Sequence, residues 1–174
     1  MRRLILLLVL PLAGCWEGGV FYAASESLPA LPPGTYRSIP SDHPEDAKIV
    51  RVSIRKDGMT TIVDKEATNT LGFAPLGGAY FVMWLPDEER DQAVYALFER
   101  KQGRYRILVP ICDRTKAIAT AAGATVAIDP KVTTCRFKTR PQLEDGLRHL
   151  EGREMDSVEL IPMPPAGGAA GTAP

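Results

Sequence analysis

The chain has 174 residues, 45% of them hydrophobic, with 21 Lys plus Arg against 21 Asp plus Glu and only two His. That length fits one domain with a core and two loose ends. A balanced charge supplies no basic surface for displacing counterions from a polyanion, which argues against a nucleic-acid partner.

Residues 1–14 begin with Arg2 and Arg3, continue through an apolar run from Leu4 to Leu12 and end on the small residues Ala13 and Gly14. A positive start, a short apolar stretch and small residues are the parts of a secretory signal that is later removed. Spanning about 30 Å of hydrocarbon takes roughly 20 apolar residues, more than this run offers, and Pro11 disfavours a continuous helix. The order Leu12-Ala13-Gly14-Cys15 resembles the lipobox of bacterial lipoprotein precursors: a large aliphatic residue, two small residues and a cysteine. The resemblance implies cleavage before Cys15, a diacylglycerol on its thiol and, in many bacteria, an acyl chain on the new amino group. One acyl chain binds marginally at about 0.8 kcal/mol per buried methylene, whereas two or three hold a protein at the membrane. Trp16 rather than Asp follows Cys15, which implies an outer-membrane anchor facing the periplasm, with inner-membrane retention as the rival. An ordinary secreted protein that keeps Cys15 unlipidated is the alternative.

Loss of residues 1–14 would leave 160 residues with 19 Lys plus Arg against 21 Asp plus Glu, a formal charge of −2. The periplasmic address implied by the resemblance makes an unbridged pair of thiols improbable, so a disulfide between Cys112 and Cys135 is expected. Closing a loop of that size stabilises a fold by roughly 3 kcal/mol. A redox couple would be more tightly spaced, as in C-x-x-C, and neither cysteine has a second Cys or His at zinc-ligand spacing.

Residues 15–33 read as a lipidated tether, because Gly18, Gly19, Ser25, Ser27, Pro29, Pro32 and Pro33 oppose a long regular element. Phe21 and Tyr22 interrupt its polar character and could dock on the domain, the favoured reading, or lie at the lipid surface. The globular domain then runs from 34 to 162, and the Pro/Gly/Ala-rich end at 163–174 is too poor in apolar surface to order itself. Apolar alternation predicts strands at 35–39 and 49–54. The turn Lys56-Asp57-Gly58 leads into a strand at 59–63, the strongest hairpin signal in the chain. Residues 64–78 read as a looser stretch. The run at 79–85 is apolar on both faces, as for a covered central strand, and Pro86 should end it. An acidic loop at 87–91 precedes strands at 93–98 and 105–111. Asp113 is expected to cap a short helix through Ala122, with Gly123 as its stop. Extended segments at 125–128 and 133–137 follow. Thr139, Pro141 and the Leu143, Leu147, Leu150 spacing then predict a helix that packs on the sheet, and 157–161 is a last strand. The expected fold is α+β, mainly β: an antiparallel meander with one or two packed helices.

No catalytic residue, metal site or cofactor is assigned, because no G-x-S-x-G, phosphate loop or H-E-x-x-H occurs. Asp42-His43-Pro44-Glu45-Asp46 has cation-binding side chains but sits where a polar turn is expected. His149 lies near a helix end, where the dipole favours a cation. The acids at 87–91 lack the ligand alternation of a calcium loop. Lys131, Arg136, Lys138, Arg140, Arg148 and Arg153 concentrate positive charge that could meet lipid phosphate or an anionic envelope component. If the meander curls, Tyr80, Met83, Trp84 and Tyr95 are candidates for the wall of a ligand pocket. The sequence therefore predicts a membrane-anchored, non-enzymatic binding or accessory protein of the cell envelope, partnered by the membrane through lipid on Cys15 and by an envelope protein. The alternative is a small-ligand or lipid carrier. A third reading, a small hydrolase, would need His43 or His149 to meet acids distant in sequence.

Overall fold

The computed structural model describes residues 15–129 and 132–164; the leader at 1–14, Lys131 and the end beyond Pro164 lie outside them. The strands are β1 (Trp16–Gly19), β2 (Gly34–Pro40), β3 (Lys48–Ile54), β4 (Thr60–Val63), β5 (Thr68–Gly77), β6 (Tyr80–Asp87), β7 (Gln92–Lys101), β8 (Arg104–Leu108), β9 (Thr125–Asp129), β10 (Val132–Phe137) and β11 (Ser157–Pro162). Two helices, α1 (Cys112–Ala121) and α2 (Arg140–Arg148), complete the described elements. The fold is mainly β, with an antiparallel sheet and two helices.

From β2 to β8 each strand pairs antiparallel with the next, and β11 then lies between β8 and β2. The meander therefore closes into an eight-stranded barrel. β7 is long enough to serve two neighbours along one edge: Leu97–Lys101 pair with β8, whereas Gln92 to Tyr95 pair with β1. β1 in turn carries β10, the one parallel pairing among the described residues, and β10 carries β9.

Side-chain alternation sorts the core into two layers. Tyr36, Val50, Val52, Ile62, Leu71, Phe73, Phe98, Ile107 and Leu160 fill the barrel. Val82, Trp84, Tyr95 and Leu97 point outward instead, under a layer formed by Trp16, Phe137, Leu143 and Leu147. The Asp57-Gly58 turn forms as its residue types require: Gly58 takes φ +85°, and Asp57 Oδ1 accepts from the Met59 amide at 3.1 Å.

Several elements differ from the sequence expectation. The stretch at 64–78 contains β5, which Gly72, Pro75 and Gly77 disguise by their low strand propensity. Gly72 is required there, because a Cβ would lie 2.1 Å from the Trp84 indole packed over it. β8 stops at Leu108, three residues short of the expected limit. α1 begins at Cys112, with Ile111 at its N-cap and no side-chain cap, so Asp113 is inside the first turn rather than at the cap. In α2, Thr139 is the N-cap and accepts from the Gln142 amide at 3.5 Å.

The largest difference is at 15–33, whose composition suggests a spacer. β1 begins directly after Cys15, and Trp16, Tyr22, Ala30 and Leu31 are buried. Trp16 donates through Nε1 to Thr115 Oγ1 at 2.8 Å. It also packs so closely on α2 that a Cβ on Gly146 would come within 2.9 Å of its ring. Tyr22 stacks on Trp84 with centroids 5.0 Å apart, donates its hydroxyl to Glu144 at 2.9 Å and lies 4.1 Å beneath the Arg140 guanidinium. Aromatic burial of this kind outweighs the low propensity of the glycines and prolines around it.

Candidate functional site: a cleft beside β5 and β6

The hydrogen-bonded register of β5 with β6 runs from Gly77–Tyr80 to Gly72–Trp84 and stops, although both strands continue. Beyond that point β5 still pairs with β4 through Thr68–Leu71, and β6 still pairs with β7 through Asp87. The register therefore ends while the two strands run on.

The cause lies in the backbone. Phe73 donates its N–H to Ser27 Oγ at 3.2 Å and accepts from the Leu28 amide at 2.8 Å, so its polar groups point away from β6. Antiparallel pairs alternate, so Gly72 and Ala74 are the residues that bond to β6, and the next bonded partners would be Thr70 and Pro86. Pro86 has no N–H to donate. It keeps its place opposite Ala93 on β7, the arrangement in which a strand tolerates proline, with its donorless edge unpaired. Pro86 thus ends the β5 pairing without ending β6, which corrects the expectation that the strand stops there.

A cleft of about 840 Å³ borders both strands here. Its lining includes the inward-facing Asn69, Leu85 and Val94 together with the outward-facing Thr68, Thr70, Met59 and Trp84. Tyr22 and Val20 from the N-terminal segment form one rim, and the hairpin tip at 87–91 forms another. Arg55 pairs with Asp57 at 2.9 Å and Arg90 with Asp87 at 3.6 Å. Among the described residues no cation lies within ion-pair distance of Glu88, Glu89 or Asp91, so the rim is acidic.

The electrostatics behind the cleft hold the N-terminal segment in place. Burial, reinforced by the Glu144 hydrogen bond, pushes the Tyr22 phenol well above its ordinary range. Burial pushes Tyr95, whose hydroxyl donates to Gly19 O at 2.5 Å, up to about 12. Partial burial raises the Glu144 carboxyl, but hydrogen bonds from Arg140 and Tyr22 outweigh it and keep the group below the usual carboxylate range. Arg140 also bonds Glu26 at 2.7 Å.

The sequence-predicted residues are distributed as follows. Cys112 and Cys135 form the disulfide, Cα atoms 5.3 Å apart, joining the start of α1 to β10. Cys15 is buried, and desolvation together with the Glu17 charge pushes its thiol up to about 11. Of the four pocket-wall candidates, Tyr80, Trp84 and Tyr95 share the outward face of β6 and β7, whereas Met83 points into the barrel. Alternation along a strand separates them, and of the four only Trp84 lines the cleft. His43 is exposed beside Glu45 at 3.1 Å, and the Glu45 hydrogen bond and Asp42 charge raise its pKa. His149 hydrogen-bonds the Asp145 carbonyl at the end of α2. Each histidine is thus engaged by residues of its own segment. Among the described residues no group of three or more His, Cys, Asp or Glu could hold a metal ion. Arg136, Arg140 and Arg148 are engaged by Glu17, Glu26 and Glu144, which divides the expected basic patch into ion pairs. A second cleft, about 570 Å³, lies beside α1, where Arg114 grips Asp156 with two 2.7 Å bonds.

Thr70, Leu85, Pro86 and Val94 were not foreseen as site residues. The available signal was Pro86 within an otherwise apolar strand. Comparison with family models, with curated proteins and with solved structures found no match to this chain.

Proposed function

We propose that this chain is a lipid-anchored envelope protein facing the periplasm that binds a partner without transforming it, and that binding takes place in the cleft lined by β5, β6 and the hairpin tip at 87–91. The observation that carries this reading is a cleft of about 840 Å³ bordered by β5, β6 and an acidic rim. The barrel interior is filled by Tyr36, Phe73, Phe98 and Leu160, as an eight-stranded barrel can be, so a central cavity is not the place for a ligand.

Anchoring rests on the lipobox resemblance at Cys15. Since β1 begins at Trp16 and Trp16 is bound to Thr115, a lipid on Cys15 would join the domain to the bilayer with almost no spacer. The buried thiol would have to turn outward at residue 15 while Trp16 stays in place.

Intact-mass analysis of protein extracted from native membranes, compared with Cys15→Ser, tests the anchor: a diacyl or triacyl addition is expected, and its absence would sink it. Photo-crosslinking in cells from Val20, which lines the cleft, tests the binding role, with the exposed Ile128 on β9 as the control. A discrete adduct from Val20 and none from Ile128 is expected; identical patterns would refute a role for the cleft.

A small-ligand carrier is the second reading. It is favoured by Leu85 and Val94, half-buried inward-facing residues that the cleft reaches. Native mass spectrometry showing a co-purifying small molecule would select it.

A further inference from the structure

Resting on the envelope location just proposed, but on a different surface from the cleft, we infer that the outward face of β11, β2 and β3 docks on an anionic phospholipid surface. Ile161, Arg37 and Ile49 stand opposite one another across these three adjacent strands. Alternation turns them outward, because their neighbours Leu160, Tyr36 and Val50 fill the barrel. Lys101 and Arg104, a cross-strand pair of β7 and β8, continue the row just past the end of the β8–β11 register. The next outward row holds Arg51 opposite Thr35, and Met163 beside them donates its N–H to the Thr35 carbonyl at 2.8 Å.

Both the apolar and the basic members of this face are accessible. Trp16, Phe137, Leu143 and Leu147 cover the β6–β7 side of the barrel, whereas on this side Ile49 is 61% exposed, Ile161 42% and Met163 38%. Arg37, Arg51 and Lys101 are exposed and have no acid within ion-pair distance among the described residues. Arg104 reaches Glu159 only at 3.9 Å. Of the neighbouring acids, Glu99 is engaged by Arg106 at 3.3 Å and Glu66 by Lys48 at 3.2 Å. The face therefore carries surplus positive charge in a chain whose cations and acids balance at 21 each.

A bilayer of acidic phospholipid offers phosphates beside an apolar boundary, and this face presents guanidinium groups beside aliphatic side chains. Arginine forks match phosphate oxygens. Each basic side chain near an anionic leaflet adds attraction that salt screens, and exposed aliphatic groups bury themselves at the headgroup–acyl boundary. A soluble acidic macromolecule would satisfy the charges and leave the isoleucines in water, which separates the two by experiment.

The test uses the cleaved chain, residues 15–174, carrying Cys15→Ser so that neither leader nor lipid contributes; every described contact of the fold lies within it. Cosedimentation with vesicles of phosphatidylethanolamine and phosphatidylglycerol is compared with vesicles of phosphatidylcholine alone. Binding to the anionic vesicles should be at least tenfold tighter and should weaken with salt. Arg37→Gln/Arg51→Gln and, separately, Ile49→Thr/Ile161→Thr change exposed positions only; both should fold normally and bind the anionic vesicles at least fivefold more weakly. The emission of Ile49→Trp should shift to the blue on those vesicles and be quenched by brominated lipid, whereas Ile128→Trp on β9 should do neither. No binding, equal binding to both vesicles, undiminished binding by either double variant, or equal quenching at 49 and 128 would overturn the docking. Binding of polyglutamate in place of the vesicles would overturn it in favour of a soluble acidic partner. Because this chain carries no lipid, its failure to bind would leave the Cys15 anchor and the cleft standing on their own tests, intact mass and crosslinking from Val20.

Discussion

Pro86 stands opposite Thr70, one bonded step beyond the last β5–β6 pair, Gly72 with Trp84, and has no N–H to complete the ladder. A single imino acid therefore leaves the β5–β6 ladder one donor short. Replacing it with valine should let the strands continue to pair. The expected result for Pro86→Val is an amide at residue 86 that donates to the Thr70 carbonyl and exchanges at least tenfold more slowly than an exposed amide, with a stability gain of about 1 kcal/mol from the added hydrogen bond. Rapid exchange of that new amide would show that more than the missing donor ends the ladder.

The two close-contact glycines make opposing demands on sequence preference. In the middle of α2, Gly146→Ala would gain about 1 kcal/mol of helix propensity. The added methyl would meet the buried Trp16 ring at 2.9 Å, and Trp16 is held by Thr115, so overpacking of about 1–3 kcal/mol should prevail. Gly72→Ala meets Trp84 at 2.1 Å and should cost more, about 3 kcal/mol. Denaturant titration of both variants checks the order; a stabilised Gly146→Ala would mean that Trp16 is free to shift.

The Cys112–Cys135 bridge closes a loop with a sequence separation of 23. The double variant Cys112→Ser/Cys135→Ser should lose roughly 3 kcal/mol on the chain-entropy account, and reduction of the native protein should lower its melting temperature in parallel. A loss below 1 kcal/mol would mean that the packing of α1 on β10 already restricts the unfolded chain.

Thr60 is fully buried within the barrel, and its Oγ1 has no hydrogen-bond partner among the described residues. A buried hydroxyl left unpaired costs about 1–3 kcal/mol, so Thr60→Val, nearly the same shape, should stabilise the domain by about 1 kcal/mol. Destabilisation in chemical denaturation would reveal a partner for that hydroxyl.

Stability should fall at both extremes of pH, for different reasons. Glu144 has a depressed carboxyl pKa when folded, so its contribution is present above about pH 4.3, its unfolded value, and is lost as pH falls through the folded one. Tyr95 and Tyr22 have raised pKa values when folded. Their contribution is complete below about pH 10, the unfolded value, and is lost as pH rises, through about 12 for Tyr95. Thermal melts across this range check both limbs: Glu144→Gln should flatten the acid limb and leave the alkaline one, whereas Tyr22→Phe should soften the alkaline limb.

Where local signals were strong, chain reading and fold agree. The Lys56-Asp57-Gly58 turn, the Thr139 cap and the leucine spacing of α2 are short-range features whose physics is complete within a few residues. The agreement fails where distant residues supply the deciding contact. β5 looks irregular because the aromatic surface that Gly72 lacks is provided by Trp84, twelve positions away. β1 looks like a spacer because Trp16 finds its partner at Thr115 and its packing at Gly146. The outward and inward faces of β6 likewise separate Trp84 from Met83, which an apolar run on both faces conceals.

The sequence by itself determined a mainly β domain with an antiparallel meander, the position of α2 and two cysteines suited to a bridge, because alternation, turn chemistry and caps act over short range. Only the tertiary structure decided that β11 closes the meander into a barrel, that the N-terminal segment packs on it and that Pro86 ends the β5–β6 register early. Those outcomes depend on which strand edges meet, and the meeting of edges is set by burial and hydrogen bonding between residues far apart in the chain.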